Sequence, residues 1–152
     1  MTKLSYDIPL ELAKAYRETS YVIHGEDGDI QLKVGQPSLE LATLMRKHGV
    51  KSAALLTAFN PHSILLTTEA NVRNHNSVIA DVQSLGLKSI SGEGGDPSKL
   101  WPSEPSILVL GIPLPGAEIL ADRYGQNGYL WITCDDGVVN LNLRYPIGEP
   151  YQ

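Results

Sequence analysis

The chain has 152 residues, 42% of them hydrophobic and 19% charged, with a formal net charge of −5 at pH 7. That length suits one domain able to bury roughly two thirds of its unfolded surface, and the composition excludes a disordered or fibrous chain. The acidic balance, with no basic run longer than Arg46-Lys47, argues against a nucleic-acid partner, which calls for a basic patch.

Residues Ile8–Glu18 read as a helix with Asp7 as N-cap, Pro9 in the first turn, and Leu12, Ala13 and Tyr16 facing inward. Thr19–His24 is β-branched and aromatic, hence a strand. Across the turn Gly25–Asp29, the alternation of Ile30, Leu32 and Val34 supplies the second arm of a hairpin. Ser38 caps a helix with Leu41, Leu44, Met45 and His48 on one face, ended by Gly49. Lys51–Phe59 is a mostly apolar run of the kind that forms a central strand covered on both sides, and Asn60-Pro61 stops it. A helix runs from about Thr68 to Leu85, with Gly86 as its stop, and Leu87–Ser91 is a short strand. The glycine-rich Gly92–Pro97 follows, then Trp101–Pro105, then a second buried strand over Ser106–Ile112. Pro115-Gly116 opens a helix with Ala117, Leu120, Ala121 and Tyr124 on its stripe. Tyr129–Thr133 and Val138–Leu143 make a hairpin around Asp135-Asp136-Gly137, and the tail from about residue 145 is irregular.

The order α-β-β-α-β-α-β-β-α-β-β contains too many tight hairpins for a parallel sheet. The expectation is an α+β fold, a single domain over 1–152 with a mixed, largely antiparallel sheet and about four helices. A lone cysteine, Cys134, excludes an internal disulfide and suits a reducing compartment. The first residues, MTKLSYDIPLELAK, do not form a secretory h-region, and no apolar run is long enough to span a bilayer. A cytoplasmic protein without a membrane partner is expected, and a homo-oligomer stays open.

The helix after the Asn-Pro turn has an unusual face. Val78, Val82 and Leu85 form an ordinary core stripe, but Asn71, Asn74 and His75 continue that stripe toward the helix start. A core-facing stripe that turns polar needs partners, whether backbone, water or ligand. Asn60 lies beside it in sequence logic, at the end of the preceding strand.

Thr57-Ala58-Phe59-Asn60-Pro61 with Ser63, then Asn71, then Trp101-Pro102 with Glu104 and Ser106, then Tyr124-Gly125-Gln126-Asn127 together resemble one bacterial family, domain of unknown function 3293. The likeness runs from Ala15-Tyr16 to about Leu143, with Gly128 where the family is expected to carry alanine. The resemblance implies a small bacterial single-domain protein. It implies no activity, substrate or cofactor.

Asn60, Asn71 and Asn74 offer amide donors and acceptors that suit a polar ligand, and the helix N-terminus near Thr68 adds free N–H groups. The alternative is that all three are satisfied by backbone within the core. Arg73 falls on the opposite, solvated face. Glu104, held between prolines ahead of a buried strand, is a candidate general acid or base if burial raises its pKa, or else a partner for Arg73 or Arg123. His75 is the best-placed imidazole, although a lone histidine on an apolar face is more often a core residue, and His62 is read as exposed. Metal ligation needs three or four converging ligands, and no His-x-x-x-His pair exists; no metal or cofactor is expected. Gly92–Asp96 lacks the lysine of a phosphate-binding loop, and Pro97 replaces the third glycine of a dinucleotide fingerprint. It reads as a mobile loop or lid, with Trp101 as anchor or stacking surface. Cys134, followed by two aspartates, is not a thiolate nucleophile.

The expected ligand site therefore comprises Asn60, Asn71, Asn74, Trp101 and Gln126, with Glu104 as the catalytic candidate. Three uses are open: binding of a small polar, nucleoside- or sugar-like ligand; a metal-independent hydrolase or transferase working through Glu104; and a protein-interaction module in which the polar cluster is structural.

Overall fold

The computed structural model describes residues 6–95 and 103–148. In chain order these form α1 (Leu10–Glu18), β1 (Ser20–Gly25), β2 (Gly28–Leu32), α2 (Leu39–Lys47), β3 (Ser52–Leu56), a short 3-10 turn (Pro61–Ser63), α3 (Thr68–Ser84), β4 (Lys88–Gly95), β5 (Glu104–Leu110), α4 (Leu114–Arg123), β6 (Gly128–Thr133) and β7 (Asn140–Leu143). The seven strands make one sheet in the order β2-β1-β4-β5-β3-β6-β7. Every ladder in it is antiparallel. The fold is α+β, with four helices and the element order expected from periodicity. Parallel pairing among the described residues is confined to one bridge, Ile8 with Ile147, so the sheet itself is not mixed.

Period-two alternation distributes β3 to both sides of the sheet. Ala53 and Leu55 enter a core with Ile23, Leu32, Leu108 and Leu130, sealed by Leu41 and Met45 of α2. Ala54 and Leu56 enter the opposite core with Ile107 and Val109, sealed by Val78 and Val82 of α3 and by Ala117, Leu120 and Ala121 of α4. Each fully buried aliphatic side chain in these layers stabilises the fold by about 1.5–3 kcal/mol. The sheet curls over α2. The chain after β2 reaches the β6–β7 connection, where Gly35 N–H donates to Val139 O (2.8 Å) and Ser38 N–H to Gly137 O (2.8 Å).

Local signals set most element ends. The Ser38 hydroxyl accepts from Leu41 N–H at the start of α2, and Thr67 Oγ1 accepts from Ala70 N–H at the start of α3. At α1 the cap is Pro9 rather than Asp7, and no side chain caps it. β3 stops at Leu56, three residues before Phe59, because Thr57 turns its side chain to the neighbouring strand β5, donating to Pro105 O (2.9 Å) and accepting from Phe59 N–H (3.1 Å). No helix among the described residues is long and apolar enough to cross a membrane.

One expectation is overturned. Gly92, Gly94 and Gly95 are not a mobile loop; they lie within β4 and pair with Ile23, Tyr21 and Ser20 of β1. Glycine is selected there by close approach rather than by flexibility. A Cβ on Gly92 would stand 2.6 Å from Val22 O, and one on Gly94 would stand 3.0 Å from the Tyr21 ring. Gly92→Ala should therefore push β4 off β1 and lower unfolding stability by about 1–3 kcal/mol, read as a lower urea midpoint.

Candidate functional site

Where β3 ends and β5 begins, the chain makes a strained turn supported from three helices. Asn60 (φ 47°), His62 (φ 54°) and Ser63 (φ 60°) all adopt left-handed backbone without being glycine. Asparagine tolerates this region; histidine and serine rarely enter it. Such geometry persists only where surrounding contacts over-determine it.

Those contacts are specific. Asn60 N–H donates to Asn71 Oδ1 (2.8 Å), and Asn71 Nδ2 returns a bond to Asn60 Oδ1 (2.8 Å). Asn60 Oδ1 also accepts from Leu66 N–H (3.0 Å). Asn71, only 5% exposed, thus spends its amide on the turn. From the other side, Gln126 Nε2 donates to Phe59 O and Tyr124 O (both 3.1 Å), while His62 N–H donates to Gly125 O (2.7 Å). Gly125 has left-handed backbone of its own (φ 63°), and a Cβ there would press on Pro61 at 2.9 Å.

With its oxygen and backbone N–H committed, Asn60 has its side-chain amide left to donate, and that amide lies toward the Glu104 carboxylate, whose pKa it lowers. Glu104 is half-buried at the first residue of β5. Burial raises its pKa above the usual carboxylate range, and the Asn60 bond pulls part of that back. Its charge reaches two phenols. Tyr16 and Tyr21 are both raised, chiefly by their own burial and also by Glu104, Tyr21 to about 12. Both stay neutral near pH 7.

Beside this carboxylate lies a second polar group. Tyr16 Oη and Ser63 Oγ share a hydrogen bond of 2.9 Å. Asn127 Nδ2 donates to Tyr16 Oη (2.8 Å) and, more loosely, toward Ser63 Oγ (3.5 Å). The other end of that amide, Asn127 Oδ1, is buried and has no hydrogen-bond partner among the described residues.

Of the expected residues, the structure brings Asn60, Asn71, Glu104 and Gln126 together. Asn71 and Gln126 act on the turn's backbone, whereas Asn60 and Glu104 form the outward pair. Asn74 is half-buried one turn along α3, outside the Asn60–Asn71 exchange. Trp101 lies outside the described residues. His75 packs edge-to-face on Phe59, with ring centroids 6.0 Å apart, and burial lowers its pKa. His62 is half-buried rather than exposed, in contact with the rings of Tyr6 and Tyr145. Arg73 is exposed. Arg123 is committed elsewhere, to Asp81 at 3.1 Å, so it is not the partner of Glu104. Among the described residues no group of three or more His, Cys, Asp or Glu side chains could hold a metal ion. Two surface cavities, of about 370 Å³ between the β1–β2 turn and α2 and about 300 Å³ around His48 and Gly111, lie away from this turn.

Two participants escape sequence reasoning. Tyr16 sits on an apolar helical stripe and reads as core. Ser63 follows a turn, and nothing in its type announces left-handed backbone. Asn127, just past a helix stop, reads from sequence either as lining the same mouth as Gln126 or as satisfying the turn itself.

Two outcomes test this assignment. Asn71→Ala strands the Asn60 N–H and should cost about 2–3 kcal/mol by urea unfolding, whereas Asn74→Ala should stay within about 1 kcal/mol. The second concerns pH. A carboxyl whose folded pKa exceeds its unfolded one, near 4.5, binds more protons folded than unfolded between the two values. Its stabilising contribution is complete below pH 4.5 and is lost as pH rises through the raised folded value. The stability of the native protein minus that of Glu104→Gln should therefore fall as pH rises from 4.5 and then level off. The opposite drift from His75, destabilising as pH falls below 6.5, cancels in that difference.

No curated protein and no solved structure matches the chain. Residues 56–128 match a family model. The match is shorter than the resemblance from Ala15 to about Leu143, but it contains the strained turn, Asn71, Glu104, Gln126 and Asn127 and omits only Tyr16 from the polar cluster. Over that segment the chain is similar to the family described as Protein of unknown function (DUF3293).

Proposed function

We propose that the protein binds a small polar ligand, nucleoside- or sugar-like, at the Asn-Pro turn and the start of α3. The observation that carries this reading is the Asn60–Glu104 pair. A half-buried carboxylate with no ion pair to any described residue, its pKa raised by burial, faces the side-chain amide of a strained residue. Holding such a group costs stability, and residues kept at that cost cluster at functional sites. Hydroxyl and amide groups of a ligand match what the pair presents: carboxylate oxygens as acceptors, with the neighbouring phenol and serine hydroxyl for the remaining edges. Asn71 and Gln126 position the site and do not touch the ligand.

The raised Glu104 pKa also favours a second reading, in which Glu104 is a general acid or base for hydrolysis or group transfer. Such a group works best when its pKa approaches the operating pH, and burial moves Glu104 in that direction.

A thermal-shift screen against nucleosides, sugars and their derivatives tests both. A ligand at about one hundred times its Kd should add about 2.7 kcal/mol to unfolding stability, and that gain should vanish in Glu104→Ala. Retained binding with lost turnover in Glu104→Gln selects the catalytic reading. A library without a hit on folded protein, or a hit indifferent to Glu104→Ala, removes the ligand site.

A further inference from the structure

α1 lies against the polar group beside the turn and is weakly rooted in the rest of the fold. Of its nine residues only Ala13 is buried, with Leu10 and Leu12 half-buried. α2, of equal length, buries Leu41, Ala42, Leu44 and Met45. Among the described residues no α1 side chain belongs to either core. Ile8, just ahead of it, is fully buried and yet belongs to neither. No side chain caps the start of the helix. An element with so few buried apolar groups stands at the low end of local stability and opens before the sheet does.

The contacts that hold α1 down gather at the site. Tyr16 Oη is bonded to Ser63 Oγ (2.9 Å) and accepts from Asn127 Nδ2 (2.8 Å). Ahead of the helix, Ile8 N–H donates to Pro146 O (2.7 Å) and Gly148 N–H to Ile8 O (2.8 Å), which ties the two ends of the described chain together. Tyr6 and Tyr145, from those ends, pack on the His62 ring with centroids 5.2 and 5.6 Å away. In the last turn Tyr21 Oη donates to Tyr16 O (3.2 Å), and Lys33 Nζ reaches Glu18 O at 3.4 Å. Bonded to the Tyr16 hydroxyl is Asn127, 3% exposed, whose Oδ1 is buried and has no hydrogen-bond partner among the described residues. A buried acceptor left open costs stability. That cost is recovered if a partner reaches Oδ1 once α1 lifts.

We infer that α1, with the chain ends at Tyr6–Ile8 and Tyr145–Gly148, is a lid over the ligand site: Tyr16 latches it, and the ligand takes the place of the Tyr16 hydroxyl on Asn127. This rests on the ligand-binding reading above and refines it, because the phenol gates the site and gives way to the ligand. With α1 lifted, Asn127 offers a donor at Nδ2 and an acceptor at Oδ1 on one amide. The complement is a planar edge with C=O next to N–H, as on the lactam of a pyrimidine base. Glu104, whose charge is felt at the Tyr16 phenol, then faces the remaining hydroxyls of the ligand.

Amide hydrogen exchange of the full chain, read residue by residue by NMR, tests the lid, and uridine is the probe for Asn127 beneath it. Without ligand, the amides of residues 12–19 and those of Ile8 and Gly148 should exchange as one unit, about a hundredfold or more faster than those of β3 and β5. Tyr16→Phe keeps the ring and removes the latch, so that unit should exchange about fivefold faster still. The same variant should bind uridine about fivefold more tightly, since the closed form competes less. Uridine at about ten times its Kd should slow exchange in β3 and β5 about tenfold while speeding it in α1. Opposite signs set a lid displaced by ligand apart from a helix that ligand merely stabilises. 3-Methyluridine, which lacks the N–H for Oδ1, should bind about fivefold more weakly or worse. Three results overturn the lid: α1 amides as protected as those of β3 and β5, fraying from Leu10 that leaves Ile8 and Gly148 protected, or uridine affinity unchanged or weakened in Tyr16→Phe. Equal binding of 3-methyluridine, or no response to uridine in either form of the chain, overturns the assignment of Asn127. A polar hit in the thermal screen then keeps the broader reading, and silence there removes the site as well.

Discussion

The exchange between Asn60 and Asn71 is the constraint on which the site depends. At the end of β3 the chain must leave the sheet, turn sharply and enter α3, and the backbone N–H of Asn60 has no strand to bond. Asn71 supplies the missing acceptor from the first turns of α3 and donates in return from Nδ2 to Asn60 Oδ1. A left-handed non-glycine residue costs about 1–2 kcal/mol, and this turn holds three of them. Two amides bonded reciprocally do more than satisfy each other. They fix the distance between β3 and α3, so the strain at His62 and Ser63 has a rigid frame to work against.

Asn60 faces two ways. Its oxygen and backbone are spent on scaffold, while its amide nitrogen reaches Glu104. A single side chain thereby couples the turn to the titratable group. Among the described residues no cation pairs with the carboxylate, and Arg123 at the end of α4 is held by Asp81 of α3. The site is consequently poised rather than stabilised, with burial raising the Glu104 pKa and one hydrogen bond opposing that rise.

Much of the architecture is legible in the sequence, because it is written in periodicities. Alternation in Ser52–Leu56 and the stripes of α2, α3 and α4 place both cores, and the capping Ser38 marks the start of α2. The failure at Gly92–Gly95 has a physical reason. Glycine signals a loop when its conformational freedom is used, but here its missing side chain is what counts, and the neighbour that needs the space, Tyr21, lies about seventy residues earlier. The polar stripe on α3 likewise reveals a location and not a role. Asn71 satisfying backbone and Asn71 awaiting ligand look the same until Asn60 is placed opposite it. Tyr16 is hidden by its ring, which fits an apolar stripe while its hydroxyl serves another element.

The separation of tasks among these residues decides how the site can be altered. Asn71 and Gln126 act on backbone, so changing them changes the fold and the site together. Asn60 stands at the junction, and no substitution there can distinguish recognition from support. Ser63 and Leu65 are different: each is exposed, and neither Asn60, Asn71 nor Gln126 bonds its side chain. Side chains the turn displays to solvent are therefore carried on a backbone the fold cannot spare. That arrangement lets side chains along 64–66 change while the Asn60–Asn71 frame, with the half-buried Glu104 beside it, stays fixed.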